Sequence, residues 1–245
     1  MSLAAVDIGN STIKIYTDEV SEGTPSLTSG VSEAIEECRK KGIDRVAFCT
    51  TRILTEDERH LLDEEGWWEF KHGIDLPLAI DYATPETLGP DRLAACLGAW
   101  TLYPGKTLLV ADSGTALTLD ILDRSGTFLG GNISPGLEMR LRALHEHTSR
   151  LPRIRSEEKA EGYFGHDTRT AIIAGCRYGV AFEADGAFRT AEREKGCEMV
   201  LVTGGEGALL SEDLQKVGRG AYPVRFVPGL VAIGLKTAYK FNHEK

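Results

Sequence analysis

The feature that most constrains this chain is a supersecondary unit that occurs twice. Asp7-Ile8-Gly9-Asn10-Ser11 and Asp112-Ser113-Gly114-Thr115-Ala116 stand 105 residues apart, and each closes one apolar strand and opens a second. In the first copy Leu3 to Gly9 reads as a buried strand. Thr12 to Tyr16, alternating apolar with polar or cationic residues, reads as its hairpin return across Gly9-Asn10. In the second copy Thr107 to Ala111 and Ala116 to Leu122 form the pair, and Thr127 to Gly131 follows as a third strand after Ser125-Gly126. A repeat of a whole unit at this distance predicts two similar half-domains facing one another, divided near Pro104-Gly105 into residues 1–105 and 106–245.

Helical patterns fill the spaces between these strands, so the fold class is α/β, each half a mixed sheet with flanking helices. Val31 to Lys41 places Val31, Ala34, Ile35 and Cys38 on one face and ends at Gly42, before a strand from Arg45 to Cys49. Thr55 to Glu65 is helical with one solvated face. Asp91 to Leu102 is a helix opened by Gly89-Pro90 and closed before Pro104-Gly105. The second half continues with helices over Leu137 to Thr148 and Thr168 to about Lys195, a polar loop over Pro152 to Glu161 between them, a strand from Met199 to Thr203, and a closing helix over Leu230 to Phe241.

Composition excludes several classes. A net charge of -9 argues against a nucleic-acid surface, and an anionic ligand would need local backbone donors and cations. No apolar run reaches membrane-spanning length and no basic region with a long apolar stretch opens the chain, so a cytoplasmic protein without membrane partners is expected. The five cysteines, Cys38, Cys49, Cys96, Cys176 and Cys197, are scattered without a C-x-x-C pair and read as buried free thiols. The six histidines show no metal-ligand spacing and read as surface residues, and Trp67-Trp68 reads as a packing element.

The repeated turn has a chemical use. Glycine permits a tight turn and close approach of backbone N–H groups to an anion, while Asn10, Ser11 and Thr115 add polar donors and Lys14 can place an ammonium toward phosphate. Bare phosphate would be repelled by Asp7 and Asp112, so these carboxylates imply cations between protein and nucleotide. Asp-Gly and Gly-Asn also occur in ordinary hairpins, and it is the matched pair that favours function. A third glycine segment, Thr203-Gly204-Gly205-Glu206-Gly207, follows a strand and suits either the approach of an adenosine or a plain strand-to-helix turn. Neither a Walker A sequence nor a G-x-G-x-x-G fingerprint after the first strand is present.

Two phosphate turns and a third glycine turn resemble the actin, hexokinase and Hsp70-like superfamily, which implies two facing actin-like half-domains. Within it, Tyr82-x-Thr84-Pro85, Gly89-Pro90-Asp91-Arg92, Gly130-Gly131-Asn132-Ile133-Ser134-Pro135-Gly136 and Asp167-Thr168, in that order, resemble the type III pantothenate kinases over residues 4 to about 236. The resemblance implies transfer of the ATP γ-phosphoryl group to pantothenate with Mg²⁺ and a monovalent cation, K⁺ or NH₄⁺, in a homodimer. It carries an ATP-phosphate role onto Asp7, Ile8, Gly9, Asn10, Ser11, Thr12, Ile13 and Lys14, an ATP contact onto Thr115 and the monovalent cation onto Asp112. Pantothenate contacts fall on Tyr82, Gly89, Pro90, Asp91, Arg92 and Thr168, and Asp91 is the implied proton acceptor.

From the residues alone, Asp91 answers a helix dipole, Arg92 is solvated, Tyr82 is a half-buried aromatic and Thr168 is a helix N-cap. The resemblance shifts that balance toward function. Two other readings share the phosphate turns: an actin-like kinase or phosphohydrolase of another small molecule, and a nucleotide-binding regulator without turnover. The first would not need Tyr82 and Gly89 to Arg92, and the second would not need Asp91, Asp112 and Thr115.

Overall fold

Strand Leu3–Ile8 (β1) is apolar enough to be buried on both faces, and it becomes the centre of a sheet in the computed structural model, which describes residues 2–10, 12–17 and 24–244. Ile13–Tyr16 (β2) returns antiparallel to it, with Asp7 opposite Lys14. Ser26–Thr28 (β3) edges β2; helix α1 (Val31–Lys40) then leads to Arg45–Thr50 (β4), which runs parallel to β1 with Cys49 beside Asp7. After helix α2 (Glu56–Glu64), Trp68–Glu69 (β5) completes the order β3-β2-β1-β4-β5. Val31, Ala34, Ile35 and Cys38 of α1 pack on Val6, Ile8, Ile13, Ile15 and Phe48, as the helical spacing predicts. The start of α2 is fixed by a capping box between Thr55 and Glu58, and Arg52 grips Glu58 with two guanidinium nitrogens at 2.6 and 2.8 Å.

Ala79–Ile80 (β6) and a single 3₁₀ turn over Pro85–Thr87 precede helix α3 (Pro90–Leu102). Proline at the first turn of α3 loses nothing, because its missing N–H would have no intrahelical partner. Residues 92–99 of α3 are all buried, so the helix is apolar nearly all round.

Leu108–Ser113 (β7), Ala116–Leu122 (β8) and Thr127–Pro135 (β9) follow, then helices α4 (Leu137–Glu146) and α5 (Thr168–Lys195), strand β10 (Met199–Thr203), helix α6 (Gly207–Val217) and strand β11 (Val224–Phe226). β10 lies parallel between β7 and β11. Leu109, Ala111, Leu117 and Leu119 from this sheet meet Leu137, Leu141, Ile173, Val180 and Phe188 from α4 and α5. A capping box between Asp167 and Thr170 starts α5, and Gly196 in the left-handed region (φ 68°) stops it. Arg177 of α5 and Asp213 of α6 form a buried ion pair.

The last helix, α7 (Leu230–His243), packs on α3. A Cβ on Gly98 would overlap the carbonyl of Leu230, and one on Gly234 would overlap that of Ala94, so this close crossing depends on two glycines. The chain thus forms two compact units, one of residues up to 106 with 122–130 and 227 onward, the other of residues 107–121 with 131–226.

Several details depart from the sequence patterns. β9 continues past Gly131 to Pro135, because the absence of a side chain on Gly131 lets its backbone lie against Leu119 and Asp120 of β8. The strands β3, β5, β6 and β11 have only two or three residues each, too few for alternation to register. All five cysteines are buried and unbridged, and all six histidines are exposed. Trp67 packs on Phe48, and Trp68 meets the edges of Phe70, Tyr239 and His243, as expected of a packing pair whose side chains diverge. Among the described residues no helix is long and apolar enough to cross a membrane.

Candidate active site

In the first unit, the hairpin between β1 and β2 sets the first phosphate turn. The Gly9 N–H donates to Thr12 O at 3.1 Å, and a Cβ on Gly9 would sit 3.1 Å from that same oxygen. Asn10 and Thr12 are exposed; Ile8 and Ile13 point into the core, so their side chains serve packing and only their backbone is available to a ligand. Ser11 lies outside the described residues. Register brings Lys14 Nζ to 3.8 Å from Asp7 Oδ2, and Cys49 Sγ to 3.9 Å from Asp7 Oδ1. Burial raises the Asp7 carboxyl above its ordinary range against the pull of Lys14, and the Asp91 carboxylate raises it further. Burial likewise pushes the Cys49 thiol well up, so it is an inert neighbour and not a nucleophile.

Asp91 is the second residue of α3. Its carboxylate folds back over the helix start and accepts from the Arg92 N–H and its own, and a Cβ on Gly89 would stand 2.5 Å from Asp91 Oδ1. Gly89 is therefore the residue that leaves room for the carboxylate. Burial raises Asp91 above the usual carboxylate range, opposed by the Arg92 N–H and guanidinium and by Lys14. Arg92 is buried, with its guanidinium 5.7 Å from the centre of the Phe128 ring, and Tyr82 meets the same ring edge-on at 5.8 Å. The first unit thus brings together Asp7, Lys14, Gly89, Asp91, Arg92 and Tyr82. Cys49 and Phe128 are the neighbours that no motif marked, since their places follow from strand pairing.

In the second unit, Asp112, the penultimate residue of β7, lies beside Thr203 of β10, and the glycine segment after β10 packs onto it. Gly204 has φ 94° and no room for a side chain, because a Cβ there would overlap Ser113 O and Asp112 Oδ1. The Glu206 N–H donates to Ser113 O at 2.9 Å. Its carboxylate accepts from the N–H groups of Leu137 and Glu138 at the start of α4, and burial raises it. Thr115 is exposed at the β7–β8 turn, and its carbonyl receives the Gly136 N–H at 3.1 Å. Sequence spacing marked these segments separately; the structure ties 113–115, 136–138 and 203–207 together. Thr168, exposed at the first position of α5, lines a cleft of about 1040 Å³ with Pro135, Met139, Ala171, Ile172 and Cys176. No group of three or more His, Cys, Asp or Glu side chains placed to hold a metal ion occurs among the described residues.

Duplicated strand-turn-strand units, each pairing a carboxylate with a glycine turn, define an α/β protein of the actin-like phosphotransferase class. A hexokinase of the ROK type from Thermus thermophilus shares this fold, with a TM-score of 0.55 at 13% identity over 97% of this chain and 98% of that one. So does a Campylobacter jejuni chain described as a Baf family transcriptional activator, with a TM-score of 0.66 at 21% identity over 99% and 100%. A family model described as type III pantothenate kinase matches residues 3–190. A type III pantothenate kinase of Bacteroides fragilis (strain YCH46) is 36% identical over 97% of both chains. The chain belongs to the type III pantothenate kinase family.

Proposed function

We propose that the residues gathered above carry out the family's reaction, ATP-dependent phosphorylation of the pantothenate primary hydroxyl to 4'-phosphopantothenate, the first step toward coenzyme A. The observation that carries this reading is electrostatic: Asp91, the expected proton acceptor, lies close enough to the phosphate turn for its charge to raise the Asp7 carboxyl, while the Lys14 ammonium pulls both carboxyls down. Asp91 takes the hydroxyl proton and Arg92 pairs with the pantothenate carboxylate, for which a guanidinium is well shaped. Tyr82, Gly89, Pro90 and Thr168 complete the substrate contacts. The turn over residues 8–13, with Lys14, holds ATP phosphates, and Thr115 contacts the nucleotide. Asp7, half-buried with its carboxyl raised by desolvation, fits a nearby Mg²⁺, which when bound would neutralise phosphate charge. The halves 1–105 and 106–245 each contribute one phosphate turn, and the enzyme acts in the cytoplasm without nucleic-acid or membrane partners. Incubation with ATP, Mg²⁺, K⁺ and pantothenate tests the reading by mass detection of phosphopantothenate; no product in a folded, nucleotide-binding sample would refute it.

Asp112, half-buried beside the second phosphate turn, is the proposed K⁺ or NH₄⁺ ligand. Rates in potassium are expected to exceed those in sodium at equal ionic strength, and Asp112→Asn should weaken that difference. Equal rates in the two buffers would remove the monovalent site.

The proposed homodimer places Thr168 on the pantothenate of the partner subunit. Subunit exchange between an Asp91→Asn chain and a Thr168→Arg chain should then restore activity from two inactive parents, since each mixed dimer keeps one intact site. Heterodimers that form and stay inactive would place Thr168 in its own subunit's site.

A further inference from the structure

We infer that Phe128 is a positioning residue for substrate recognition, acting through Arg92 and Tyr82; the inference rests on those two residues being pantothenate contacts. Phe128 is fully buried in β9, and its backbone and ring both reach the proposed substrate residues. Its backbone pairs with Ile80 of β6, and the Asp81 N–H donates to Phe128 O at 2.9 Å, which fixes the segment immediately before Tyr82. Its ring meets the Tyr82 ring at 5.8 Å and 74°, an edge-to-face contact, and lies 5.7 Å from the Arg92 guanidinium carbon. Arg92 is itself only 6% exposed, so its charge has lost most of its water, and a ring face replaces part of that stabilisation without occupying the guanidinium's in-plane donors. One aromatic side chain therefore sets the orientation of two groups on separate segments, and an aliphatic residue of similar bulk would fill the space without doing so.

Phe128→Leu preserves an apolar core and removes the ring. The expected result is a KM for pantothenate raised by about tenfold with the KM for ATP within about twofold of wild type, the loss of one desolvated cation–π contact being enough for a change of that size. Phe128→Met serves the same purpose should the leucine variant not fold. If Phe128 acts through Arg92, its substitution in an Arg92→Gln background should add little further loss. Unchanged KM values, an equal rise for both substrates, or fully additive losses in the double variant would each overturn the inference and leave the kinase reading standing. A wild-type protein that binds ATP and makes no phosphopantothenate would overturn both.

Discussion

Asp91→Asn is expected to lower turnover by about 100-fold or more while leaving the fold and ATP binding intact, the usual scale for loss of a positioned base. The carboxamide is nearly isosteric, so its oxygen can still accept from the Arg92 N–H over the space that Gly89 leaves open. What is lost is the proton-accepting charge. Asp91 works as a base only when ionised, and burial raises its carboxyl, so the acid limb of the wild-type rate profile should lie above the ordinary carboxylate range. Removing that charge also removes one of the influences that raise Asp7, so any acid limb in the variant should move to lower pH. Single-turnover measurements from pH 4 to 8, together with ATP titrations, check both points. Near-normal turnover in the folded variant would exclude Asp91 as the acceptor, whereas a loss of only a few fold would make it a group that orients the hydroxyl, since a loose phosphoryl-transfer transition state needs little base assistance.

The phosphate turns were legible because a hairpin is local: a few residues specify both the turn and the side chains that flank it. Asp91 with Arg92 was legible for a related reason, since Gly89-Pro90 announces a helix start and the first turn places the acid over its N–H groups. What patterning did not expose depends on pairing between distant segments. Cys49 reaches Asp7 only through the parallel register of β1 and β4, and Phe128 reaches Tyr82 and Arg92 only because β6, two residues long, joins β9. Glu206 looked like one more residue of a glycine turn until the start of α4 arrived at its carboxylate. The role of Gly98 and Gly234 was hidden similarly, because each appeared as an isolated glycine in a helix and the crossing of α3 with α7 supplies the reason. That crossing bears on the site directly, as α3 carries Asp91 and Arg92 at its first turn.

Asp213→Ala is expected to destabilise the protein by about 3–5 kcal/mol, because it strands a buried guanidinium. Arg177 donates from Nε to Asp213 Oδ2 at 2.5 Å and from its terminal nitrogen to Oδ1 at 2.8 Å, and the two side chains are 9% and 2% exposed. The fork geometry fixes α5 against α6, and the Asp213 hydrogen bonds are the chief influence raising the Arg177 pKa, so the guanidinium stays charged. Glu212, 4.0 Å from Arg177, is too exposed at 60% to replace the lost carboxylate, and Lys216, 3.7 Å from Asp213, contributes little from its own exposed position. Joint replacement by apolar residues, Arg177→Met with Asp213→Leu, removes both charges and should recover most of the loss. Urea unfolding followed by circular dichroism decides the matter: a drop of less than about 1 kcal/mol in Asp213→Ala would mean that water reaches the guanidinium and that the pair behaves as a surface ion pair.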